Sequence, residues 1–224
     1  MTRATTIIFD VDGTLIDSAA DIHGALNYGL ALAGCGSIEF GASRELIGLG
    51  LEGSLDKILA DRGRRFEAGE LARIRTACTA YYDAHLVVHT RLFADVRETL
   101  EVFRRAGVAM GLCTNKRAEP TRHILAALGV SDYFGVLMAR GSLPQGKPHP
   151  APLLAAVDAL GGRPEEAAMV GDSHIDIDCA RAAGVASVAV SYGYSDRPVA
   201  ELGADHVIER FCELPAVLGA ARNI

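Results

Sequence analysis

The alternation of short apolar runs with stretches of helical periodicity is the feature that most constrains how this chain can fold. Five runs have the length and composition of strands: residues 6–11, 108–113, 136–138, 167–171 and 186–190. Between two of these runs, Val96, Leu100 and Phe103 recur at helical spacing until Gly107. This alternation is typical of βαβ units, whose parallel strands are covered by helices. The sequence therefore predicts an α/β fold with three layers and a parallel sheet.

Residues 16–90 interrupt this alternation, because they indicate several helices with no convincing strand between them. The first helix is predicted to begin at Ser18, which with Asp21 resembles a capping pair, and a second helix to begin near Ser43. Three glycines within 48–53 favour either a backbone that bends or approaches a ligand closely, or a plain turn between helices. We therefore predict a core domain of residues 1–15 and 91–224 with a small helical domain, 16–90, inserted into it.

Composition excludes several classes of function. The formal net charge of −6 gives no electrostatic reason for binding nucleic acid, since such proteins usually present a basic face. No apolar run approaches the roughly eighteen residues of a membrane-spanning helix, and no signal core precedes the first predicted strand, so a cytoplasmic protein without a membrane partner is expected. The five cysteines are scattered without a Cys-x-x-Cys spacing, which favours reduced and mostly buried thiols.

Two aspartates directly follow the first predicted strand. Asp10 and Asp12 are two residues apart, so they can face one crevice at the carboxyl end of the sheet, where open parallel sheets bind ligands. Two carboxylates there repel each other unless a positive charge lies beside them, and a divalent cation would supply it. Gly13 then allows the chain to turn sharply.

Three more groups of polar residues follow predicted strands or precede predicted helices. Asp172 and Asp176 come after the strand 167–171, Thr114 and Asn115 after the strand 108–113, and Lys147 before a helix. Mg²⁺ typically takes one or two carboxylates together with waters and a substrate phosphate, which Asp10 and Asp172 would suit. Phosphoryl transfer needs fixed donors and positive charge, which Thr114, Asn115 and Lys147 could supply.

Each of these features alone has an ordinary structural explanation. An aspartate at a strand end is often a turn residue or helix cap, Thr114 can cap the next helix, and a lysine before a proline is usually solvated. Their common order and placement at strand ends and helix starts favours instead a single site for magnesium-dependent phosphoryl transfer.

In this order, the four motifs around Asp10, Thr114, Lys147 and Asp172 resemble those of the haloacid dehalogenase superfamily. The resemblance implies a Rossmann-like core in which Asp10 is the nucleophile and forms a phospho-aspartate, while Asp12 is the general acid and base. Thr114, Asn115 and Lys147 are then expected to bind the phosphoryl oxygens, with Lys147 also offsetting the charge on Asp10.

The same resemblance implies a set of residues for Mg²⁺. The ligands are expected to be the carboxylates of Asp10 and Asp172 and the backbone carbonyl of Asp12, with Asp176 and Gly13 in supporting positions. It also implies that the inserted domain, 16–90, is a cap that closes over the substrate and excludes water.

Asp12 indicates a branch of the superfamily that acts on phosphate esters, since the dehalogenases lack this residue. Four stretches are similar to those of bacterial phosphoglycolate phosphatases: 81–82, 114–116, 147–150 and 191–194. Arg140-Gly141-Ser142 departs from that branch, which more often has Gly-Gly-Asp or Gly-Asp-Asp there. The expected reaction is hydrolysis of a small phosphate monoester, 2-phosphoglycolate, to glycolate and phosphate. A sugar-phosphate mutase and a non-catalytic phosphate-binding regulator remain the alternatives, and monomer and homodimer are both compatible with the sequence.

Overall fold

The computed structural model describes residues 4–195 and 197–219, and their strands form one large sheet and one small ribbon. The strands are β1 (Thr6–Phe9), β2 (Ile16–Asp17), β3 (Arg91–Leu92), β4 (Ala109–Arg117), β5 (Val136–Arg140), β6 (Ala167–Gly171), β7 (Ala186–Val190) and β8 (His206–Ile208). The large sheet has the order β5-β4-β1-β6-β7-β8, with every pair parallel. β1 therefore lies at the centre of the sheet.

The helices of the described residues are distributed over the whole chain. They are α1 (Ala19–Leu32), α2 (Phe40–Arg44), α3 (Gly50–Asp61), α4 (Ala68–Ala84), α5 (Val96–Arg105), α6 (Ala118–Ala127), α7 (Ala151–Ala159), α8 (His174–Ala183) and α9 (Leu214–Val217). Within the described ranges, none is both long enough and apolar enough to cross a membrane.

The alternating side chains of β1 explain why the sheet has helices on both faces. Ile7 and Phe9 point into one apolar cluster, which also contains Leu100 of α5 and Ile124 of α6, while Ile8 points into a second cluster with Leu153 of α7. All of these side chains are completely buried. A central parallel strand must be covered on both faces in this way, so the prediction of a three-layer α/β fold is confirmed.

The insertion, residues 16–90, leaves and rejoins the rest of the chain through one antiparallel ribbon. In this ribbon Ile16 of β2 pairs with Leu92 of β3, and Asp17 pairs with Arg91. Between the two strands lie only helices and turns, with α1 packed against α4. The contact is close because Gly29 has no side chain: a Cβ there would lie 3.1 Å from the Cβ of Cys78.

The glycine-rich stretch 48–53 combines the two arrangements considered from the sequence. A 3₁₀ turn, Ile47–Leu49, leads into α3, which begins at Gly50. Gly48 lies directly against the core, since a Cβ at this position would be 3.3 Å from Cδ1 of Ile175. The segment is thus both a connection between helices and the part of the insertion that approaches the large sheet.

The predicted capping pair of Ser18 and Asp21 is wrong, because both side chains have partners elsewhere. The Ser18 hydroxyl donates to Asp12 Oδ1 (2.5 Å), and the Asp21 carboxylate accepts from the backbone and hydroxyl of Thr90 (2.9 and 2.7 Å). The Tyr194 hydroxyl accepts the backbone N–H of Ser18 instead (2.8 Å). Tertiary contacts have therefore replaced the local cap.

The five cysteines are free thiols, as predicted. Cys78, Cys113 and Cys179 are buried, Cys35 is partly buried and Cys212 is exposed. Burial raises the pKa of Cys78 to about 11, which keeps this thiol protonated and unreactive at neutral pH.

Candidate active site

Asp10 lies just beyond the carboxyl end of β1, at the centre of the sheet edge. Its backbone N–H donates to the carbonyl of Val170 (2.9 Å), so the register between β1 and β6 fixes its position. Lys147, from the loop before α7, places its Nζ 2.8 Å from Asp10 Oδ1, and the lysine side chain is only 2% exposed. The nucleophile and the ammonium group predicted from the sequence are thus in direct contact.

Three buried carboxylates share this region. Oxygen atoms of Asp10, Asp172 and Asp176 all lie within 4.8 Å of one another, and Lys147 Nζ also contacts Asp176 Oδ1 (2.6 Å). Burial raises the pKa of Asp10 to about 6 despite the opposing charge of Lys147, and burial together with the charges of Asp176 and Asp10 raises the pKa of Asp172 well above its ordinary value. One ammonium thus faces up to three negative charges.

The surroundings of Asp172 leave little freedom for its carboxylate. The backbone N–H of Tyr194 donates to its Oδ2 (2.6 Å), and the Thr14 hydroxyl donates to its Oδ1 (3.3 Å). Gly13 has a φ of +82°, and a Cβ there would lie 2.2 Å from Asp172 Oδ2. A Cβ on Gly193 would lie equally close, 2.2 Å from Asp172 Cβ. The backbone therefore packs around this carboxylate on two sides.

These residues fit a magnesium ion by their chemistry. The cluster offers only carboxylate oxygens, the donors that Mg²⁺ prefers, and its negative charge exceeds what Lys147 balances. In the predicted ligand set, Asp12 contributes its backbone carbonyl and not its carboxylate. Its carboxylate contacts Lys116 and Ser18 instead. A divalent cation beside Asp10 and Asp172 would oppose the burial and the mutual repulsion that raise their pKa values, because it favours the charged carboxylates.

Asp176 is the most constrained of the three carboxylates. Its Oδ2 accepts from the backbone N–H of Asp172 (3.2 Å) and from the N–H and hydroxyl of Ser173 (3.1 and 2.8 Å), which forms a capping box at the start of α8. Its Oδ1 contacts Lys147 Nζ, so both oxygens are engaged. Asp176 thereby links the position of Lys147 to the loop that carries Asp172.

The Asp12 carboxylate is held by two residues that were not predicted to belong to the site, Lys116 and Ser18. Lys116 Nζ donates to Asp12 Oδ1 and Oδ2 (3.1 and 3.2 Å), and the Ser18 hydroxyl donates to Oδ1. Lys116 also donates to the Tyr82 hydroxyl, which comes from α4 of the insertion. The general acid predicted at Asp12 thus lies between the core and the insertion.

Thr114 and Asn115 line the small cavity above Asp10, which has a volume of about 10 Å³, enough for roughly one water-sized group. The Asn115 side-chain amide donates to the backbone carbonyls of Lys147 (3.1 Å) and Gly48 (3.3 Å). Asn115 therefore ties the Lys147 loop to the insertion, whereas the Thr114 hydroxyl accepts the N–H of Lys116 (3.2 Å) and keeps its own proton for another acceptor.

The insertion contacts the core on both sides of this cavity. Arg44 of α2 donates to the carbonyl of Gly193 (3.1 Å) and lies over the ring of Tyr194. Arg140, at the end of β5, donates to the carbonyls of Asn115 (3.1 Å) and Leu49 (2.6 Å). The cavity is therefore covered by the insertion in this structure.

Comparison with known proteins agrees with this arrangement. The model of the haloacid dehalogenase-like hydrolase family matches residues 7–190. The chain is 36% identical over 213 residues to a phosphoglycolate phosphatase of Caulobacter vibrioides, covering 95% of this chain and 90% of the relative. A crystal structure of a predicted phosphoglycolate phosphatase from Haemophilus somnus superposes with a TM-score of 0.90 at 30% identity, over 97% of this chain and 99% of the other.

A β-phosphoglucomutase from Clostridium difficile also superposes, with a TM-score of 0.82 over 97% of this chain and 96% of the other. Its identity of 22% shows a common fold alone. The match to the family model and the identity of 36% to curated relatives show membership of a family as well as a common fold. The chain therefore belongs to the haloacid dehalogenase-like hydrolase family and, within it, to the branch of phosphoric monoester hydrolases whose curated members include the phosphoglycolate phosphatases.

Proposed function

We propose that this protein hydrolyses 2-phosphoglycolate or a similarly small phosphate monoester through a phosphorylated Asp10. The observation that carries the proposal is the buried Asp10 carboxylate, whose Oδ1 lies 2.8 Å from Lys147 Nζ, at the floor of a cavity that Thr114 also lines. The curated relatives named phosphoglycolate phosphatase support the choice of substrate.

In the first step a carboxylate oxygen of Asp10 attacks phosphorus, and the bond from phosphorus to the ester oxygen breaks. Lys147 and the Thr114 hydroxyl bind the equatorial phosphoryl oxygens, where negative charge must be stabilised. Asp12 gives its proton to the departing oxygen, which leaves as the alcohol. Asn115 contributes by holding the Lys147 loop in place.

In the second step water attacks the phosphorus of the phospho-aspartate. Asp12, now a carboxylate, takes a proton from this water, and the bond from phosphorus to Asp10 breaks. The products are inorganic phosphate and the regenerated Asp10 carboxylate. Atoms and protons balance over the two steps, since Asp12 ends in its original protonated form.

Mg²⁺ fits this site and, when bound, would supply positive charge that lowers the repulsion between the phosphate and Asp10. The Asp10 and Asp172 carboxylates and the Asp12 carbonyl would hold it. Asp176 contributes by fixing the loop that carries Asp172.

The insertion, residues 16–90, is proposed to be a cap domain on the core of residues 1–15 and 91–224. The β2–β3 ribbon supports this division, because both chain crossings between the two parts are paired with each other there. The contacts of Arg44 and Arg140 support a closed state in which water has limited access to Asp10.

The test is phosphate release from 2-phosphoglycolate and from 4-nitrophenyl phosphate with Mg²⁺, comparing wild type with Asp10→Asn. The variant should lose almost all turnover, because an amide is a poor nucleophile. Asp61→Asn is the matched control, since Asp61 is exposed and pairs with Lys57, within the insertion. Acid quenching of wild type during turnover, followed by peptide mass analysis, should detect a phosphoryl group on Asp10. Full activity of a folded Asp10→Asn variant would refute the nucleophile.

A further inference from the structure

A second cavity adjoins the one above Asp10 and is where the leaving group of a substrate would extend. Its volume is about 30 Å³, enough for two or three water-sized groups. Both cavities are lined by Asp12, Ile47, Asn115 and Lys116. An ester whose phosphoryl group contacts Asp10 would therefore place its alcohol portion between Asp12 and the far wall of the second cavity.

The second cavity contains a hydroxyl proton without an acceptor. Lys116 Nζ can only donate, so the Tyr82 hydroxyl accepts from it and keeps its own proton for another partner. Within residues 4–195 and 197–219, the contacts of Tyr82 include no acceptor for that proton. Burial raises the pKa of Tyr82 to about 12, so the hydroxyl remains a donor at neutral pH.

The charge around the cavity also favours an anion. Three cationic side chains line it, Lys116, Arg117 and Arg140, against the carboxylates of Asp12 and Glu52. The guanidinium groups are engaged elsewhere, since Arg117 pairs with Asp83 and Arg140 donates to backbone carbonyls. Lys116 is the cation that lies deepest, with a side chain only 6% exposed.

We propose that Lys116 and Tyr82 together bind a carboxylate on the leaving group, so that the enzyme selects phosphate esters of small hydroxy acids. This inference rests on the proposed function and assigns residues to its substrate selectivity. One carboxylate oxygen would accept from the Tyr82 hydroxyl and the other from the Lys116 ammonium. The side chains of Ile22, Leu51 and Pro120, which also line the cavity, give it an apolar part that suits the short carbon chain of such an acid.

Tyr82→Phe is the discriminating variant. It removes the free donor but leaves the contact of Lys116 with Asp12, whereas a change at Lys116 would also disturb Asp12 and so affect every substrate. Tyr28→Phe is the matched control, because Tyr28 is a half-exposed tyrosine of the same insertion whose ring stacks on Tyr81, away from this cavity.

The test is calorimetric binding to the Asp10→Asn protein in Mg²⁺, with 2-phosphoglycolate and ethyl phosphate as the two ligands. 2-Phosphoglycolate, which carries the carboxylate, should bind at least about tenfold more tightly than ethyl phosphate. Tyr82→Phe should remove most of that preference, since a hydrogen bond to a charged acceptor is strong. Tyr28→Phe should retain it. Equal affinities for the two esters, or an equal loss for both in Tyr82→Phe, would overturn the inference.

Binding and turnover can fail separately. If wild type releases phosphate from ethyl phosphate but shows no preference for 2-phosphoglycolate in binding or kcat/KM, the inference fails and the proposed chemistry stands. If the Asp10→Asn protein binds 2-phosphoglycolate preferentially but wild type releases no phosphate from either ester, the proposed chemistry fails and the carboxylate site stands.

Discussion

Gly13 occupies the point at which the backbone approaches the carboxylate of Asp172 most closely. A methyl group there would lie 2.2 Å from Asp172 Oδ2, and the φ of +82° already disfavours any other residue. Gly13→Ala should therefore displace Asp172, lower the free energy of unfolding by about 2–4 kcal/mol and reduce Mg²⁺-dependent activity roughly a hundredfold.

Gly107→Ala separates the effect of backbone strain at a positive φ from the effect of a clash with Asp172. Gly107 has a φ of +70° but nothing lies within 4 Å of the position of a Cβ, so this variant carries the backbone strain without the clash. We expect it to cost about 1 kcal/mol in urea unfolding and to keep full activity. Equal stability and activity losses in the two variants would contradict the contact with Asp172.

The protonation state of Asp10 should determine the acid limb of activity. Burial raises its pKa to about 6, and a protonated carboxyl cannot attack phosphorus. kcat/KM should therefore rise as the pH increases through about 6, and fall about tenfold per pH unit below it at low Mg²⁺. A higher Mg²⁺ concentration should move the limb to lower pH, because a cation favours the carboxylate. A profile that is flat from about pH 5 to 8 would contradict this.

At the residue scale, the polar groups of the candidate site were predictable because strand geometry brings them together. Asp10 and Asp12, two residues apart after a strand, and Asp172 after the neighbouring strand had to meet at one edge of the sheet. Lys116 lies two residues after Thr114, within the irregular part of β4 between Cys113 and Arg117, and both side chains are buried. Tyr82 was not predictable as its partner, since 34 residues separate them in the chain and only the docking of the insertion unites them.

At the scale of elements, Arg140 connects the end of β5 to the insertion. Arg140→Ala should remove the donors to Leu49 and Asn115 and loosen the insertion, because each lost hydrogen bond leaves a carbonyl without its partner. We expect kcat/KM to fall about threefold to tenfold, amide hydrogen exchange to increase in residues 44–53, and the free energy of unfolding to change by less than about 1 kcal/mol.

Arg163→Ala is the control for this prediction. Arg163 has a similarly exposed side chain that pairs with Glu165 and Glu166, and it lies before β6, at the opposite end of that strand from the candidate site. It should change neither kcat/KM nor exchange in residues 44–53. Unchanged exchange in the Arg140→Ala protein would show that Arg140 does not hold the insertion.

The strands that the sequence predicted are those with several consecutive apolar residues. β6 and β7 have the predicted bounds, while β4 extends four residues beyond the prediction, through Thr114 to Arg117. The polar residues follow an irregularity in the pairing with β5, which resumes where Arg117 pairs with Arg140. β8 has only three residues and the ribbon strands only two each, which is too short for periodicity to indicate.

At the scale of the whole molecule, metal binding should stabilise the folded protein. The three buried carboxylates repel one another, so Mg²⁺ bound at a concentration of about 100 Kd should raise the free energy of unfolding by about 2.7 kcal/mol. For a chain of this size that corresponds to a Tm increase of roughly 5–10 °C, which EDTA should reverse.

Asp172→Asn should abolish most of this increase, because it removes a predicted ligand. Without Mg²⁺ the same variant should be no less stable than wild type, since it removes one of the repelling charges. Asp178→Asn, at an exposed residue that pairs with Arg181, should respond to Mg²⁺ as wild type does. A melting curve of wild type that is identical with Mg²⁺ and with EDTA would contradict metal binding at this cluster.

The pairing of β2 with β3 brings the two ends of the insertion together, which affects how the insertion could be replaced. Because Ile16 lies opposite Leu92, the ends of the insertion are only about 5 Å apart, the spacing of neighbouring strands. A peptide link of a few residues could bridge that gap, so the sheet requires nothing from the 75 residues between Ile16 and Leu92 in order to keep its connectivity. A different segment whose two ends lie side by side could therefore replace the insertion. It would place new side chains beside the same candidate site without changing the sheet.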